Sequence, residues 1–292
     1  MFKKILCPID FSPGSRRAMQ LAARVATADG AELVLAHAWY MPPIAYAGEY
    51  PLPPDTIRLM GEDAERGLAE ASREVTGLGA PRVEAILLNG VPWAQIVETL
   101  QDPTFDLAVI GTHGRTGLAR VLLGSVAERV VRHAPCSVLT TRPDGELARF
   151  GHVLCAVDFS ESSRHAAQLA ADIAARAGGK LTLVHVIELP VTYRGEPIAS
   201  DLMMDVDKRS THLLEQWASE LAAKSTIPIA TRIELGSAGA RLLTVLDGEP
   251  TASLVVVGSH GRTGIRRALL GSVAEKIVRH AACPVLVARQ RA

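Results

Sequence analysis

The sequence predicts an α/β protein made of two tandem, doubly wound domains, each with a five-stranded parallel sheet covered by helices on both faces. Three observations carry this. Short apolar runs alternate with segments of helical period, the runs are continuous rather than alternating, and nearly the whole pattern occurs twice. "ILCPIDFSPGSRRAMQLA" from Ile5 matches "VLCAVDFSESSRHAAQLA" from Val153, an offset of 148, and "LVLAHA" at Leu33 matches "LTLVHV" at Leu181 by the same offset. From Gly111 to Leu139 against Gly258 to Leu286 the offset is 147, and 21 of 29 positions are identical. A near-constant offset over most of a 292-residue chain is a tandem duplication rather than a short solenoid repeat. The polar stretch "RPDGELARF", Arg142 to Phe150, reads as the linker, with domains at 1–143 and 150–292.

In the first half "KKILCPI" is a strand. Ala18, Leu21, Ala22 and Val25 follow at helical spacing, with Ser12 or Ser15 available as N-cap. "ELVLAHA" is the second strand and "DTIRLMGEDAERGLAEASREV" a charged amphipathic helix. "VEAILL" is the third strand and "WAQIVETL" a short helix; "LAVIG" is the fourth strand, "SVAERVVRHA" a helix, and "CSVLTT" the fifth strand. The second half repeats this through "HVLCAV", "LTLVHV", "IATRIEL", "SLVVVG" and "CPVLVA". The dissimilar segments "MPPIAYAGEYPLPPDT" and "LPVTYRGEPIASDLMM" read as irregular loops after the second strands.

Composition bounds the function. Lys plus Arg equals Asp plus Glu at 31 each, so net charge gives no reason to expect a nucleic-acid partner. No stretch approaches the roughly 20 apolar residues of a membrane span, and the apolar run of "MFKKILCPIDFS" is too short for a signal core. A cytoplasmic protein is expected. The four cysteines fall in apolar strand runs as repeat pairs, Cys7 with Cys155 and Cys136 with Cys283, and are expected to be buried thiols.

In doubly wound sheets ligands bind beyond the carboxyl ends of the strands, where strand order reverses. The repeated loop falls there: Gly111-x-x-Gly114, nine residues, Gly124-Ser125, and again Gly258-x-x-Gly261, nine residues, Gly271-Ser272. Glycines let backbone amides approach an anion, and the helix beginning near Ser125 turns its unpaired amides and the positive end of its dipole toward the loop. Ser125 can cap that helix or donate to a phosphate oxygen. The pattern is therefore a candidate phosphate cradle. It is not a Walker A loop, a dinucleotide fingerprint or a hydrolase elbow.

These motifs resemble the universal stress protein family, and specifically tandem members of its ATP-binding branch. The resemblance rests on "CPIDFS" and "CAVDFS", on "AHA" and "VHV", and on both G-x-x-G-(nine)-G-S loops. It implies strand order 3-2-1-4-5, adenine nucleotide in the cleft, and dimerisation through the fifth strands. Carried over by position, the first site would hold Pro8, Asp10 and Ala38, then Ile110, Gly111, His113 and Gly114. Gly124, Ser125, Val126 and Ala127 would follow at the helix start. The second site would hold Asp158, Val186, Val257, Gly258, His260 and Gly261, with Gly271, Ser272, Val273 and Ala274 at its helix start. Ala156 stands where the family has proline, and Glu161-Ser162 replaces Pro13-Gly14, placing a carboxylate near the second cleft.

Asp10 and Asp158 end apolar strands, where a carboxylate is costly unless used, either for the nucleotide or to start the next helix. His37 and His185 read as structural. The function expected is a nucleotide-dependent stress-response sensor or regulator that binds ATP with Mg²⁺ and has an undefined regulatory partner. The alternatives are a slow ATPase and an AMP or cyclic AMP-binding module. The fifth strands would be exposed edges unless paired, so an intrachain pseudo-dimer, and possible association of two chains into a homodimer, are also expected.

Overall fold

The computed structural model describes residues 1–40, 53–112, 123–142, 150–188, 200–261 and 270–291, with positions 54 and 200–205 described by backbone alone. The chain divides into two units, Met1–Leu147 with Arg291–Ala292, and Ala148–Gln290.

The first unit runs β1 (Lys4–Pro8), α1 (Pro13–Asp29), β2 (Glu32–Trp39), α2 (Pro54–Gly77), β3 (Arg82–Asn89), α3 (Pro92–Thr99), β4 (Leu107–Gly111), α4 (Ser125–His133) and β5 (Ser137–Thr141). The second runs β6 (His152–Val157), α5 (Glu161–Arg176), β7 (Lys180–Ile187), α6 (Ser200–Ala222), β8 (Ile229–Leu235), α7 (Ala238–Asp247), β9 (Leu254–Gly258), α8 (Ser272–His280) and β10 (Val285–Ala288). Strand order is β3-β2-β1-β4-β5 in the first unit and β8-β7-β6-β9-β10 in the second. The pairings β1 with β2, β2 with β3, β1 with β4 and β4 with β5 are all parallel, as are their counterparts. Each unit is thus a doubly wound α/β sheet.

The order follows from the sequence. Right-handed crossovers put α1 and α2 on one face as the chain moves outward from β1 to β3. The return to β4 then puts α3 and α4 on the other. Central strands β1 and β4 are buried almost throughout, as their unbroken apolar runs require. The outermost strands differ from the expected full cover: β3 alternates between exposed and half-buried residues, and β8 is similarly open. An edge strand has a neighbour on one side only, so Glu84 and Leu87 can face solvent.

Helix α1 keeps Ala18, Leu21, Ala22 and Val25 buried, the face set by their spacing. Helix α6 begins at Ser200, so Ser200–Met204 is helical where the sequence suggested an irregular loop. The remainder of both loops, at 41–52 and 189–199, and the linker at 143–149 lie outside the described residues. Cys7, Cys136 and Cys155 are buried, and burial pushes the Cys7 and Cys155 thiols far above the ordinary range. Cys283 departs from expectation: it is only half-buried, one residue before Pro284 and ahead of β10.

Candidate functional site

The break in strand order lies between β1 and β4, and between β6 and β9. There the loops leaving both strands diverge, opening a crevice at their carboxyl ends. The chain turns from strand into helix by the same device in both halves. In the first, the Ser12 backbone N–H donates to Asp10 Oδ1 at 3.0 Å. Ser12 is the N-cap of α1, its hydroxyl accepting from the Ser15 N–H at 3.2 Å. In the second, Asp158 Oδ1 accepts from the Ser160 N–H at 3.0 Å and from its hydroxyl at 2.5 Å, while Ser160 caps α5 through the Ser163 N–H. One carboxylate oxygen of each aspartate thus builds the turn, and Ser12 rather than Ser15 is the cap.

The residue between aspartate and serine is left-handed: Phe11 has φ 62° and Phe159 has φ 64°. Each ring then lies on a histidine, with centroids 4.5 Å apart for Phe11 and His37 and for Phe159 and His185. Those histidines are buried, with Nδ1 at 2.7 Å from the Ile9 carbonyl oxygen and 2.6 Å from that of Val157. Their structural role agrees with the sequence reading. The left-handed phenylalanines were not legible, because phenylalanine, unlike glycine or asparagine, does not advertise that conformation in a sequence.

Glycines 111 and 258 end β4 and β9. A methyl group on Gly111 would come within 2.7 Å of the Gly14 carbonyl oxygen, and one on Gly258 within 2.8 Å of Ser162 Oγ. These glycines allow the first helix of each half to sit directly against the strand end, a packing role distinct from the amide exposure expected of them. Gly261 is different: an added methyl would meet Asp158 Oδ2 at 2.9 Å, so its bareness keeps a gap beside the carboxylate.

At the far side of the loop, Gly124 and Gly271 occupy the N-cap positions of α4 and α8, both with φ −61° and ψ 143°, and no side chain caps either helix. Ser125 and Ser272 are therefore the first helical residues, exposed, and not caps. The glycine N–H groups are already used, donating to the Thr112 oxygen at 2.7 Å and to the Ser259 oxygen at 2.9 Å. The first-turn amides of Ser272, Val273 and Ala274 have no intrahelical acceptor.

In the second unit these parts line one cleft with a cavity volume of about 180 Å³. All ten residues expected there from the sequence border it: Asp158, Val186, Val257, Gly258, His260 and Gly261 on one side, and Gly271, Ser272, Val273 and Ala274 at the helix start. Ala156, Val157, Ser163, Val184, Ala238 and Leu242 complete the lining. Val184 was signalled by its period-two relation to Val186, whereas Ala238 and Leu242 come from α7, a helix the sequence reading did not name. Glu161 is exposed in the first turn of α5 and is not among the lining residues.

His260 is the most unusual group in the cleft. Its N–H donates to Ser162 Oγ at 3.4 Å and its Nδ1 lies 2.9 Å from Ser259 Oγ. Its buried Nε2 has no hydrogen-bond partner among the described residues. Burial, and then the charge of Arg289, hold its pKa below the ordinary histidine value. A buried ring nitrogen left unsatisfied is costly without a ligand.

In the first unit the corresponding residues take the same places. Pro8 ends β1 and Asp10 lies two residues beyond it, and Ala38 sits near the end of β2, paired with Leu88. Ile110 and Gly111 close β4, and Gly124, Ser125, Val126 and Ala127 open α4. His113 and Gly114 lie outside the described residues.

The same elements in the same places are shared with other proteins. The pattern characteristic of the universal stress protein family matches residues 1–142 and again 149–289. The chain belongs to the universal stress protein family. A universal stress protein of Mycobacterium tuberculosis is 32% identical over 296 residues, covering 98% of this chain and 96% of its own length. Another from the same organism is 32% identical over 255 residues, 82% of each chain. The crystal structure of a universal stress protein from Archaeoglobus fulgidus covers 98% of both chains with a TM-score of 0.73 at 22% identity, a likeness of fold. Like the two relatives from Mycobacterium tuberculosis, this universal stress protein carries its domain in tandem.

Proposed function

We propose that each half of this universal stress protein binds an adenine nucleotide, ATP with Mg²⁺, and that the chain acts as a nucleotide-dependent regulator in a stress response. The observation that carries the reading is the second cleft. An uncapped helix start, a glycine at its N-cap and an unpartnered buried histidine nitrogen converge on one apolar-walled crevice. The unpaired first-turn amides and the orphaned histidine nitrogen are both satisfied by a phosphorylated nucleoside, and the bare glycine leaves room for it to approach.

The residues fit that ligand. Ser272, Val273 and Ala274 present amides, and Ser272 a hydroxyl, to phosphate oxygens, aided by the helix dipole. His260 Nε2 can meet ribose or phosphate. Val184, Val186 and Val257 give a flat apolar wall for the base, and Asp158 stands where β6 ends. The first half would use Pro8, Asp10, Ala38, Ile110, Gly111, His113, Gly114 and the start of α4 in the same way. Among the described residues no cluster of acidic, histidine or cysteine side chains could hold a metal, so Mg²⁺ would be carried by phosphate oxygens and water. No general base is assigned, and turnover of ATP would be slow at most. A cytoplasmic homodimer that answers to a regulatory protein belongs to the same proposal.

The test is heat extraction of nucleotide from purified protein followed by chromatography, with calorimetric titration for stoichiometry. Intact ATP, and two sites per chain, are expected. Protein that carries and takes up no adenine nucleotide would refute the reading; ADP accumulating with Mg²⁺ would favour the ATPase, and monophosphate alone a signalling module.

A further inference from the structure

The two halves also differ along the buried face of α2 and its counterpart α6. In α2 the buried positions are Ala64, Leu68, Ala71 and Val75; in α6 they are Ser210, Leu214, Trp217 and Leu221, at the same spacing. The match is fixed independently by an ion pair to the first helix. Arg16 meets Glu74 at 2.9 Å and Arg164 meets Glu220 at 2.8 Å. Ala71 therefore stands where the second half has Trp217.

In the second half the indole is held on two sides. The Arg164 guanidinium lies over it at 4.3 Å, and the Phe159 ring meets it edge-on at 5.5 Å. Trp217 is 6% exposed, and the cavity left along Arg164 and Glu220 is only about 40 Å³. In the first half both partners are present, Arg16 and Phe11, but the indole is gone. What remains is a cavity of about 390 Å³ lined by Phe11, Arg16, Met19, Gly67, Ala71 and Glu74, with Phe11 42% exposed. Glu70 joins Glu74 in the lining, so two carboxylates face one guanidinium.

We propose that this cavity is a ligand site for a small planar aromatic amine, which takes the place of the indole that the second half supplies from its own chain. The ring would lie under Arg16 and against Phe11, as Trp217 lies under Arg164 and against Phe159. The amine would face Glu70 and Glu74, where the excess negative charge favours a cation and opposes a carboxylate. The cavity adjoins the nucleotide cleft at Ile9 and Ser15, whose counterparts Val157 and Ser163 line that cleft in the second half, but the proposal does not depend on that reading.

Tryptamine is the probe, titrated into the full chain by calorimetry with saturating ATP present throughout. One tryptamine per chain is expected, with indole-3-acetate binding about tenfold more weakly. Ala71→Trp should fill the cavity, raise the melting temperature and abolish tryptamine binding. Ala71→Phe is the smaller substitute should the larger ring fail to fold, and it should weaken tryptamine by about tenfold or more. Absence of binding to the native chain, binding that survives both substitutions, displacement of tryptamine by ATP, or equal affinity for indole-3-acetate would each overturn the proposal.

Discussion

Asp158 and Gly261 approach so closely that a single methyl group on the glycine would lie 2.9 Å from the Asp158 Oδ2 atom. The carboxylate has little freedom to withdraw, because its other oxygen is held by the Ser160 N–H and hydroxyl. Two segments far apart in sequence, the end of β6 and the loop after β9, are thus kept at a fixed separation across the mouth of the second cleft.

The first prediction follows. Gly261→Val should push Asp158 and the loop apart and close the second nucleotide site, leaving the fold intact. Calorimetric titration should show stoichiometry falling from two nucleotides per chain to one. Two sites with unaltered affinity would remove the close approach from any role in binding. Gly114 is its sequence counterpart, and the double valine variant should bind none.

The terminal glycines of β4 and β9 predict a different kind of loss. Alanine at either position should destabilise its half by about 1–3 kcal/mol, through overpacking rather than lost ligand contact. Gly111→Ala should be the worse of the two. Its new methyl would meet a backbone carbonyl at 2.7 Å, whereas the nearest atom at Gly258 is the end of a serine side chain. Urea unfolding curves give the ranking, and equal or inverted losses would contradict it.

The serines separate stability from binding. Ser12→Ala and Ser160→Ala each remove a working N-cap and should each cost about 1 kcal/mol. Ser125→Ala and Ser272→Ala remove no cap, so stability should change by less than about 0.5 kcal/mol while nucleotide affinity falls. Thermal melts paired with titrations distinguish the two classes. A large stability loss at Ser272 would mean that its hydroxyl serves the helix after all.

Acid should weaken the second half through two histidines. His152 has Nδ1 at 3.0 Å from Thr251 Oγ1 and Nε2 at 3.0 Å from Thr182 Oγ1. Burial, then the charge of Lys180, lower its pKa against a smaller opposing effect of Glu249, and His260 is lowered likewise. A histidine with a depressed folded pKa binds fewer protons folded than unfolded, so stability rises with pH in that window. The contribution is complete above the unfolded value of 6.5 and is lost as the pH falls below it. The urea midpoint should therefore drop between pH 7 and pH 5, and the double variant His152→Gln with His260→Gln should flatten that dependence. A native midpoint indifferent to pH across this window would reject the assignment.

Much of this architecture was legible because parallel strands covered on both faces must be apolar along their length. "LAVIG" and "LVVVG" carry no competing signal. The duplicated loop was legible because it repeats spacing as well as residue type, and the ten positions that the family resemblance implied border one cleft. What escaped was set by tertiary distance. Nothing in the sequence distinguishes Gly258, which is bare so that a helix can touch a strand, from Gly261, which is bare beside a carboxylate. Nor does "GSVAE" reveal that glycine rather than serine caps the helix, since serine is the stronger cap by preference. The start of α6 at Ser200 was hidden among proline and glycine. The exchange of Ala71 for Trp217 acquires meaning only when two helices are superimposed on the same pair of neighbours.

The left-handed phenylalanines have a consequence for how the two halves can diverge. Between Asp10 and Ser12, one residue reverses the path of the chain, shields a buried imidazole and delivers the hydroxyl that starts the helix. Those three tasks share a single peptide step, so none can be adjusted alone. Insertion or deletion of one residue here would rotate the helix start by about 100° relative to the strand end. Substitutions can accumulate around this joint, as Pro13-Gly14 against Glu161-Ser162 shows, but its length is frozen in both copies.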